Sequence, residues 1–514
     1  MKLSRLCSAL DGLEGVRVFD FQERDITGIA YDSRKVRPGY LFVAVAGSKA
    51  DGHTFLREAV ERGAVALVTE KPVRLRRTNL PDALPIPGGL TQIVVPSSRK
   101  ALACLSSRFY GEPSKHLTCI GVTGTNGKTT VSYLLRSILE AAGNKVGLIE
   151  TVACFAGQRC IPESLELHGL FKEMWTSGVT HVVMEVSSHA LTQHRVHGID
   201  FKVAIFTNLS QEHLDYHKDM ETYREAKAVL FRSLSPEAVA VLNAEDSASQ
   251  YLAQQTRAQV LWYYPKANKG IRGEVLSTSL EETEVMLSDG KEELPVKSPL
   301  IGKYNFYNLL AASTAASALG IRLTGIKKGI ESLECPPGRL ERIPRAGFHV
   351  FIDCAHTPHA LEALLETLRP LVENRLLLVF GCGGDRDRGK RPLMGQMAER
   401  YADRFWLTSD NPRSEPPMQI IKEIEGGISG KSYRVEPDRR LAIEQALSQA
   451  VRGDVVLIAG KGHEQTQDLG KLVVPFDDRE VISQVLARKT PRGRVAVATR
   501  AMVKELQYAG LLAV

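Results

Sequence analysis

The chain has 514 residues, 24% charged and 43% hydrophobic, with 66 Lys and Arg against 59 Asp and Glu. That length exceeds what one compact core organises and calls for roughly two to four domains. A formal net charge of +7 is too small at this size to indicate nucleic acid and suits acidic small-molecule substrates.

The start, Met1-Lys-Leu-Ser-Arg-Leu-Cys-Ser-Ala-Leu-Asp11, is basic, but Asp11 cuts its apolar run too short for a secretory signal. No uncharged apolar stretch approaches the length of a membrane span. The eight cysteines, scattered from Cys7 to Cys382, form no C-x-x-C pair, so neither zinc nor a redox dithiol is indicated. Scattered thiols fit a reducing compartment, and the expectation is a soluble, cytoplasmic protein.

Short apolar strands are expected at 40–46 and 64–69, with a Pro/Gly-rich stretch over 81–89. Gly111-Glu-Pro-Ser114 has turn chemistry and reads as a linker, closing a first unit at 1–114. A second unit, 115–337, opens with a strand at 117–122, a glycine loop and a helix over 129–142. Further strands are expected at 181–186, 203–206 and 239–242. Cys335-Pro-Pro-Gly338 is a second linker. Beyond it, in a unit over 338–486, strands at 376–380, 404–408 and 455–459 alternate with helices over 392–401, 418–424 and 441–451. Such alternation predicts α/β architecture with a parallel, doubly wound sheet. A tail, 487–514, has no assigned role.

The most informative stretch is Ile120-Gly-Val-Thr-Gly-Thr-Asn-Gly-Lys-Thr-Thr130. Glycines let the backbone curl so that successive N–H groups face a phosphate at a helix N-terminus. Lys128 can reach the terminal phosphates and the Thr129 hydroxyl can ligate magnesium. The full G-x-x-x-x-G-K-[ST] pattern fails, because its first glycine falls at Val122. A chance glycine turn before a helix is the bland alternative; the agreement of strand, loop, Lys-Thr and helix weighs against it.

Gly124-Thr-Asn-Gly-Lys-Thr-Thr130 resembles the ATP loop of the Mur ligases and of the folylpolyglutamate synthetases. The resemblance continues from about residue 24 to 485 and implies three domains: an N-terminal UDP-binding α/β domain, a central P-loop ATPase-like parallel sheet and a C-terminal Rossmann-like domain. It implies ATP binding by Gly124, Thr125, Asn126, Gly127, Lys128, Thr129 and Thr130, with magnesium as cofactor.

Glu185, in Met184-Glu-Val-Ser-Ser-His189, follows an apolar strand, where open α/β sheets place ligand-binding groups. Alone it reads more readily as a solvated surface acid. His213, in Asn208-Leu-Ser-Gln-Glu-His213, reads alone as a locally satisfied histidine, and Lys227, in Tyr223-Arg-Glu-Ala-Lys227, as a solvated helix residue. The resemblance assigns Glu185 and His213 to magnesium, with Glu212 where the family has Asp, and makes Lys227 a carbamylated (N6-carboxy) lysine. A cationic lysine beside magnesium ions would be repelled, whereas carbon dioxide adds to a neutral amine and leaves an anion. Asn305 and Asn308 sit three apart at a helix start, and the resemblance sets them beside the nucleotide. It also directs Arg339 of Pro337-Gly-Arg339 at phosphate and assigns Asp353 and His356 to ATP. Cys354 and His359 stand where the family has Tyr and Asp.

Ser33 and the loop Ser48, Lys49 and Ala50 match segments that contact the UDP part of the precursor, and Ser187, Gln193 and Arg195 match contacts to its sugar-peptide. Cys160 and Ile161 stand where the family has two threonines, so only backbone contacts to the precursor remain there. Asp410-Asn411-Pro412-Arg413 is similar to the signature of the members that take meso-diaminopimelate, with Arg386, Gly460 and Glu464 as the remaining contacts. Diaminopimelate differs from lysine by a far carboxylate, which a guanidinium holds through paired, charge-assisted hydrogen bonds. Glu464 suits the far ammonium.

The implied chemistry is ligation of meso-diaminopimelate to UDP-N-acetylmuramoyl-L-alanyl-D-glutamate by a monomer in the cytoplasm. A member adding lysine or another amine, and a catalytically silent binding protein of the same fold, are the rivals. A folylpolyglutamate synthetase is disfavoured by the separate unit ahead of the ATP loop.

Overall fold

The structure, a computed structural model, describes residues 1–47, 50–73, 90–150, 162–212, 214–266, 270–343, 347–430 and 433–488. Ser48, Lys49, Cys160, Ile161, His213 and the tail beyond 488 lie outside the described residues. Among those described, no helix is long and apolar enough to cross a membrane.

The N-terminal sheet has five strands in the order Arg17–Phe19, Thr91–Val94, Ala64–Thr69, Tyr40–Val43 and Gly28–Ala30. The first is an antiparallel edge; the rest are parallel. Thr91–Val94 is buried throughout and Ala64–Thr69 nearly so, as strands covered on both faces must be, which is why they read as unbroken apolar runs. The strand expected over 40–46 ends at Val43. Past it Gly47 N–H donates to the Ala50 carbonyl at 2.9 Å.

The central sheet has six strands, all parallel, in the order Gln259–Tyr263, Val239–Asn243, Phe201–Phe206, Thr118–Thr123, His181–Glu185 and Val146–Ile149. Chain direction across the sheet reverses beside Thr118–Thr123, so the crevice at that strand's carboxyl end is where such a sheet binds ligands. The helix Lys128–Ala141 covers one face through Val131, Leu134, Leu135 and Ile138, together with Leu309, Leu310 and Ile326 of later helices. The opposite face carries Leu167, Phe171, Ala228 and Phe231. A three-stranded antiparallel sheet, Arg272–Thr278, Thr283–Ser288 and Glu293–Ser298, adds Val285, Leu287 and Val296 to the first core. It was not among the expected elements.

The C-terminal sheet runs Glu341–Ile343, His349–Asp353, Val455–Ala459, Leu376–Phe380, Arg404–Leu407 and Tyr433–Val435. It is parallel apart from its first, edge strand. The expected helices appear as Lys390–Tyr401, Pro417–Glu425 and Arg439–Gln449, and Asp478–Arg488 closes the domain.

Candidate active site

The strand Thr118–Thr123 delivers the glycine loop, and Gly127 begins the following helix at φ +87°. A β-carbon on Gly124 would run into Thr207 Oγ1, and one on Gly127 into Asn308 Oδ1. Side-chain-free backbone at these two points lets the loop close against its neighbours. Asn208 accepts from Asn126 N–H at 3.0 Å and donates back to its carbonyl at 3.1 Å. Thr207 Oγ1 donates to the same carbonyl at 2.6 Å. Lys128 Nζ curls onto the carbonyls of Gly124 and Thr125 at 3.0 and 2.7 Å, which keeps the ammonium over the loop. Thr125, Thr129 and Thr130 are all buried.

At the adjacent strand end, Glu185 is 1% exposed. Glu150, just past Val146–Ile149, accepts from Tyr133 Oη at 2.8 Å. Burial raises the Glu150 carboxyl above its usual range, and the charge of Glu185 adds to that. Its Oε2 is buried without a hydrogen-bond partner among the described residues. Sequence reasoning missed Glu150. Its signal was positional, an acid after an apolar strand like Glu185, but the approach of the two depends on pairing strands far apart in the chain.

Lys227 is 1% exposed and lies in the helix Met220–Arg232, its Nζ 4.3 Å from the Tyr223 ring centre. Burial drives its pKa well below the ordinary lysine value; Lys128 pushes the same way and Glu212 opposes. Among the described residues no hydrogen bond or ion pair is recorded for this ammonium. A buried lysine kept neutral is the form that adds carbon dioxide. Thr129 and Glu185 offer the hard oxygen donors that suit magnesium; a carbamate on Lys227 would join them, and an ammonium would not.

Asn305 and Asn308 are buried on one face of Lys303–Ala318. Asn305 is not a helix cap: it donates to the Ile301 carbonyl at 2.9 Å and accepts from Asn308 at 3.0 Å. Arg339, just past the 335–338 linker, contacts Cys354 Sγ and donates to Thr129 Oγ1 at 3.3 Å. The C-terminal domain therefore reaches the phosphate loop through the arginine expected there. Asp353 accepts from the N–H groups of Leu340 and Ala355 at 2.6 and 2.8 Å, and burial raises its pKa. His356 Nε2 lies 3.8 Å from Glu212, and Lys390 holds the His356 carbonyl at 2.7 Å.

In the N-terminal domain Ser33 is buried and donates to Glu58 at 2.7 Å. Ala50 is exposed on its loop. Ser187 caps the helix Ser188–Thr192 by accepting from Ala190 N–H at 3.2 Å. Gln193 accepts from Arg195 at 2.6 Å.

The turn Asp410-Asn-Pro-Arg413 leaves the strand Arg404–Leu407, and Arg413 takes φ +51°. Its Nη1 donates to the Gly384 carbonyl at 2.6 Å and its Nε lies 3.8 Å from Asp468. A β-carbon on Gly383 would sit 3.0 Å from Arg413 Nη1 and 3.7 Å from Arg386 Cγ, so both side chains lie beside one glycine. Asp410 Oδ2 is buried with no partner among the described residues, and a β-carbon on Gly460 would come within 2.5 Å of it. Glu464 is already engaged, by Lys461 at 2.9 Å and Asn411 at 2.7 Å. Burial alone would raise its carboxyl; these partners hold it below the usual range. Lys461, between Gly460 and Glu464 in the chain, was overlooked. So was Arg391, fully buried on Glu415, Glu423 and the Gly383 carbonyl, which ties the segment just before Arg386 to the one just after Arg413. Glu415 is held at about 2, with the Arg391 hydrogen bond the main cause.

Comparison with known proteins places most of the chain in one family. Residues 25–110 match the Mur ligase family catalytic domain, 122–316 the Mur ligase middle domain, and 338–462 the Mur ligase glutamate ligase domain. A UDP-N-acetylmuramoyl-L-alanyl-D-glutamate--2,6-diaminopimelate ligase of Geobacillus thermodenitrificans is 45% identical over 94% of this chain and 98% of its own. The protein of that name from Caldanaerobacter subterraneus subsp. tengcongensis is 44% identical over 90% and 95%. A solved structure of a ligase of that name superposes with a TM-score of 0.65 at 33% identity, covering 91% of this chain and 96% of that one. The MurF ligase of Thermotoga maritima, solved with ADP, shares the fold at 20% identity, a TM-score of 0.60 and coverage of 89% and 96%.

Proposed function

The chain belongs to the Mur ligase family and is an ATP-dependent, amide-forming ligase, and we propose that it joins meso-diaminopimelate to the D-glutamate of UDP-N-acetylmuramoyl-L-alanyl-D-glutamate in peptidoglycan synthesis. ATP lies with its phosphates over the 124–130 loop, where Lys128 offsets their charge and the start of the helix supplies N–H groups. Thr129, Glu185 and Lys227 as a carbamate would hold magnesium, which supplies charge neutralisation on the phosphates; His213 is assigned with them from the sequence alone. The precursor's glutamyl side-chain carboxylate attacks the γ-phosphate to give an acyl phosphate and ADP. The diaminopimelate amine then attacks the acyl carbon, and phosphate leaves. No side-chain nucleophile is required, and positioning carries most of the rate. Arg339, already on Thr129 at 3.3 Å, keeps the amine-binding domain against the phosphates, where closure excludes water.

The observation that carries the choice of amine is that the Arg413 guanidinium and the Arg386 side chain both lie beside Gly383. Two arginines borne on neighbouring loops suit a carboxylate, and lysine has none to offer there. The test is phosphate release from ATP with the UDP-linked dipeptide, comparing diaminopimelate with lysine. Release with diaminopimelate alone is expected; equal release with lysine would overturn the amine assignment, and no release with either would overturn the reaction.

A further inference from the structure

The first turn of the helix Ser164–Thr176 carries two carboxylates that the reaction just described does not use. Glu163, at the N-cap, is 8% exposed and makes no side-chain capping bond. A carboxylate in that position ordinarily accepts from the helix's own free N–H groups. This one faces two guanidiniums instead. Arg99 Nη1 lies 3.1 and 3.4 Å from its two oxygens, and Arg195 Nε lies 3.4 Å from Oε1.

The two arginines come from different domains. Arg99 belongs to the helix Ser98–Phe109, and its other amino group donates to the Ala46 carbonyl at 3.4 Å. Ala46 pairs with Asp51 at the stem of the loop that carries Ala50. Arg195 follows the helix Ser188–Thr192 on the central sheet and also donates to Gln193 at 2.6 Å. Glu166, on the same face of the helix, accepts from Tyr31 Oη at 2.8 Å and lies 3.9 Å from Lys35. Both N-terminal segments read as precursor contacts, around Ser33 and Ala50, are thus tied to one helical turn.

We infer that Glu163 is a positioning residue for precursor binding: it fixes Arg195 in its bound orientation and, through Arg99, sets the N-terminal loop against the central sheet. This rests on the reading of Arg195 as a precursor contact. An arginine free in solution loses rotamer freedom when it binds an anion; one already held by a buried carboxylate has lost it on folding. Precursor affinity therefore depends on Glu163, although Glu163 need touch no substrate atom, and the nucleotide and amine sites do not depend on it.

The experiment compares Glu163→Gln, Arg195→Ala and the double variant in the full chain, reading KM for each substrate, kcat and calorimetric binding of the UDP-linked dipeptide. Glu163→Gln keeps shape and removes charge; precursor KM should rise about tenfold or more, with kcat at saturation and the KM values for ATP and diaminopimelate unmoved. In the Arg195→Ala background the same change should add clearly less than it does alone, keeping only the part that runs through Arg99. If Arg195→Ala leaves precursor KM unchanged, the reading of Arg195 fails. If Arg195→Ala raises it and Glu163→Gln does not, or if the two effects simply add, the positioning role fails. ADP binding and the melting temperature report folding. Should Glu163→Gln not fold, Glu163→Asp and Arg99→Gln take its place, with an unchanged precursor KM in both overturning the inference.

Discussion

Lys227 and Arg413 show how a residue's surroundings convert an ambiguous side chain into a specific expectation. Lys227 reads in the sequence as one more helix lysine; burial and the nearby Lys128 make its charged form costly. Lys227→Ala should lose ligation, and added formate should restore part of it by filling the vacated anion position, measured as phosphate release with and without formate. Full activity of Lys227→Ala or of Lys227→Arg would sink the carbamate. Arg413 is held by the Gly384 carbonyl and lies beside Gly383, as the Arg386 side chain does. Removing one partner of a buried charge pair costs about 2–5 kcal/mol, so Arg413→Ala should weaken use of diaminopimelate by roughly thirtyfold to a few thousandfold. Lysine should gain little, since no partner for its ammonium is created. The ratio of kcat/KM for the two amines decides it; an unchanged ratio means that Arg413 does not read the far carboxylate. Lys128 and Thr129 were legible because strand, loop and helix are contiguous in the chain. Glu150 was not, because only the pairing of two strands brings it near Glu185, and Glu163 was not, because both its arginines arrive from other elements.

Elements with one strong local signal were read nearly to the residue. Leu376–Phe380 and Val455–Ala459 are unbroken apolar runs, as strands buried on both faces require. The antiparallel sheet over 272–298 escaped because its outer strands bury almost nothing, Arg272–Thr278 only Gly273 and Glu293–Ser298 only Val296 and Ser298, and in the middle strand the apolar Met286 between Val285 and Leu287 breaks the alternation of apolar and polar residues. The helix Lys128–Ala141 is seated by a contact no sequence pattern announces. Gly329, in the helix Leu323–Glu331, lies directly on Ile138, where a β-carbon would overlap the Ile138 backbone. Its carbonyl also accepts from Ser137 Oγ at 2.6 Å. Gly329→Val must therefore push the two helices apart, at a cost of about 1–3 kcal/mol. The expected outcome is a lower melting temperature with a raised KM for ATP, because the displaced helix begins at Lys128. A melting temperature equal to wild type would show that the crossing is slack.

The three largest sheets of the molecule meet at seams that carry polar side chains, and one of those seams holds buried histidines. His168 is fully buried on the helix Ser164–Thr176, and a β-carbon on Gly198 would lie 4.0 Å from its Nε2 and 3.8 Å from Ser107 Cβ. Ser107 belongs to the N-terminal helix Ser98–Phe109, so the imidazole stands where the N-terminal and central sheets meet. Burial lowers His168 from 6.5 to about 4 and His194 to about 4, and it lowers His197 as well. Lys100 adds repulsion at His194 and His197, and Arg99 at His194. A folded pKa below the unfolded one means that the unfolded chain takes up protons first as pH falls. The stability these histidines allow is complete above about 6.5 and is lost progressively between 6.5 and about 4. At His168 alone the full window is worth about 3 kcal/mol. Denaturant or thermal unfolding followed from pH 7 to 4.5 should therefore show a steep loss, and His168→Phe, which has no proton to take up, should flatten part of it. The acid loss should appear with ADP bound as well, since the phosphate loop is elsewhere. If the pH dependence of His168→Phe matches wild type, the seam is not where the molecule yields to acid.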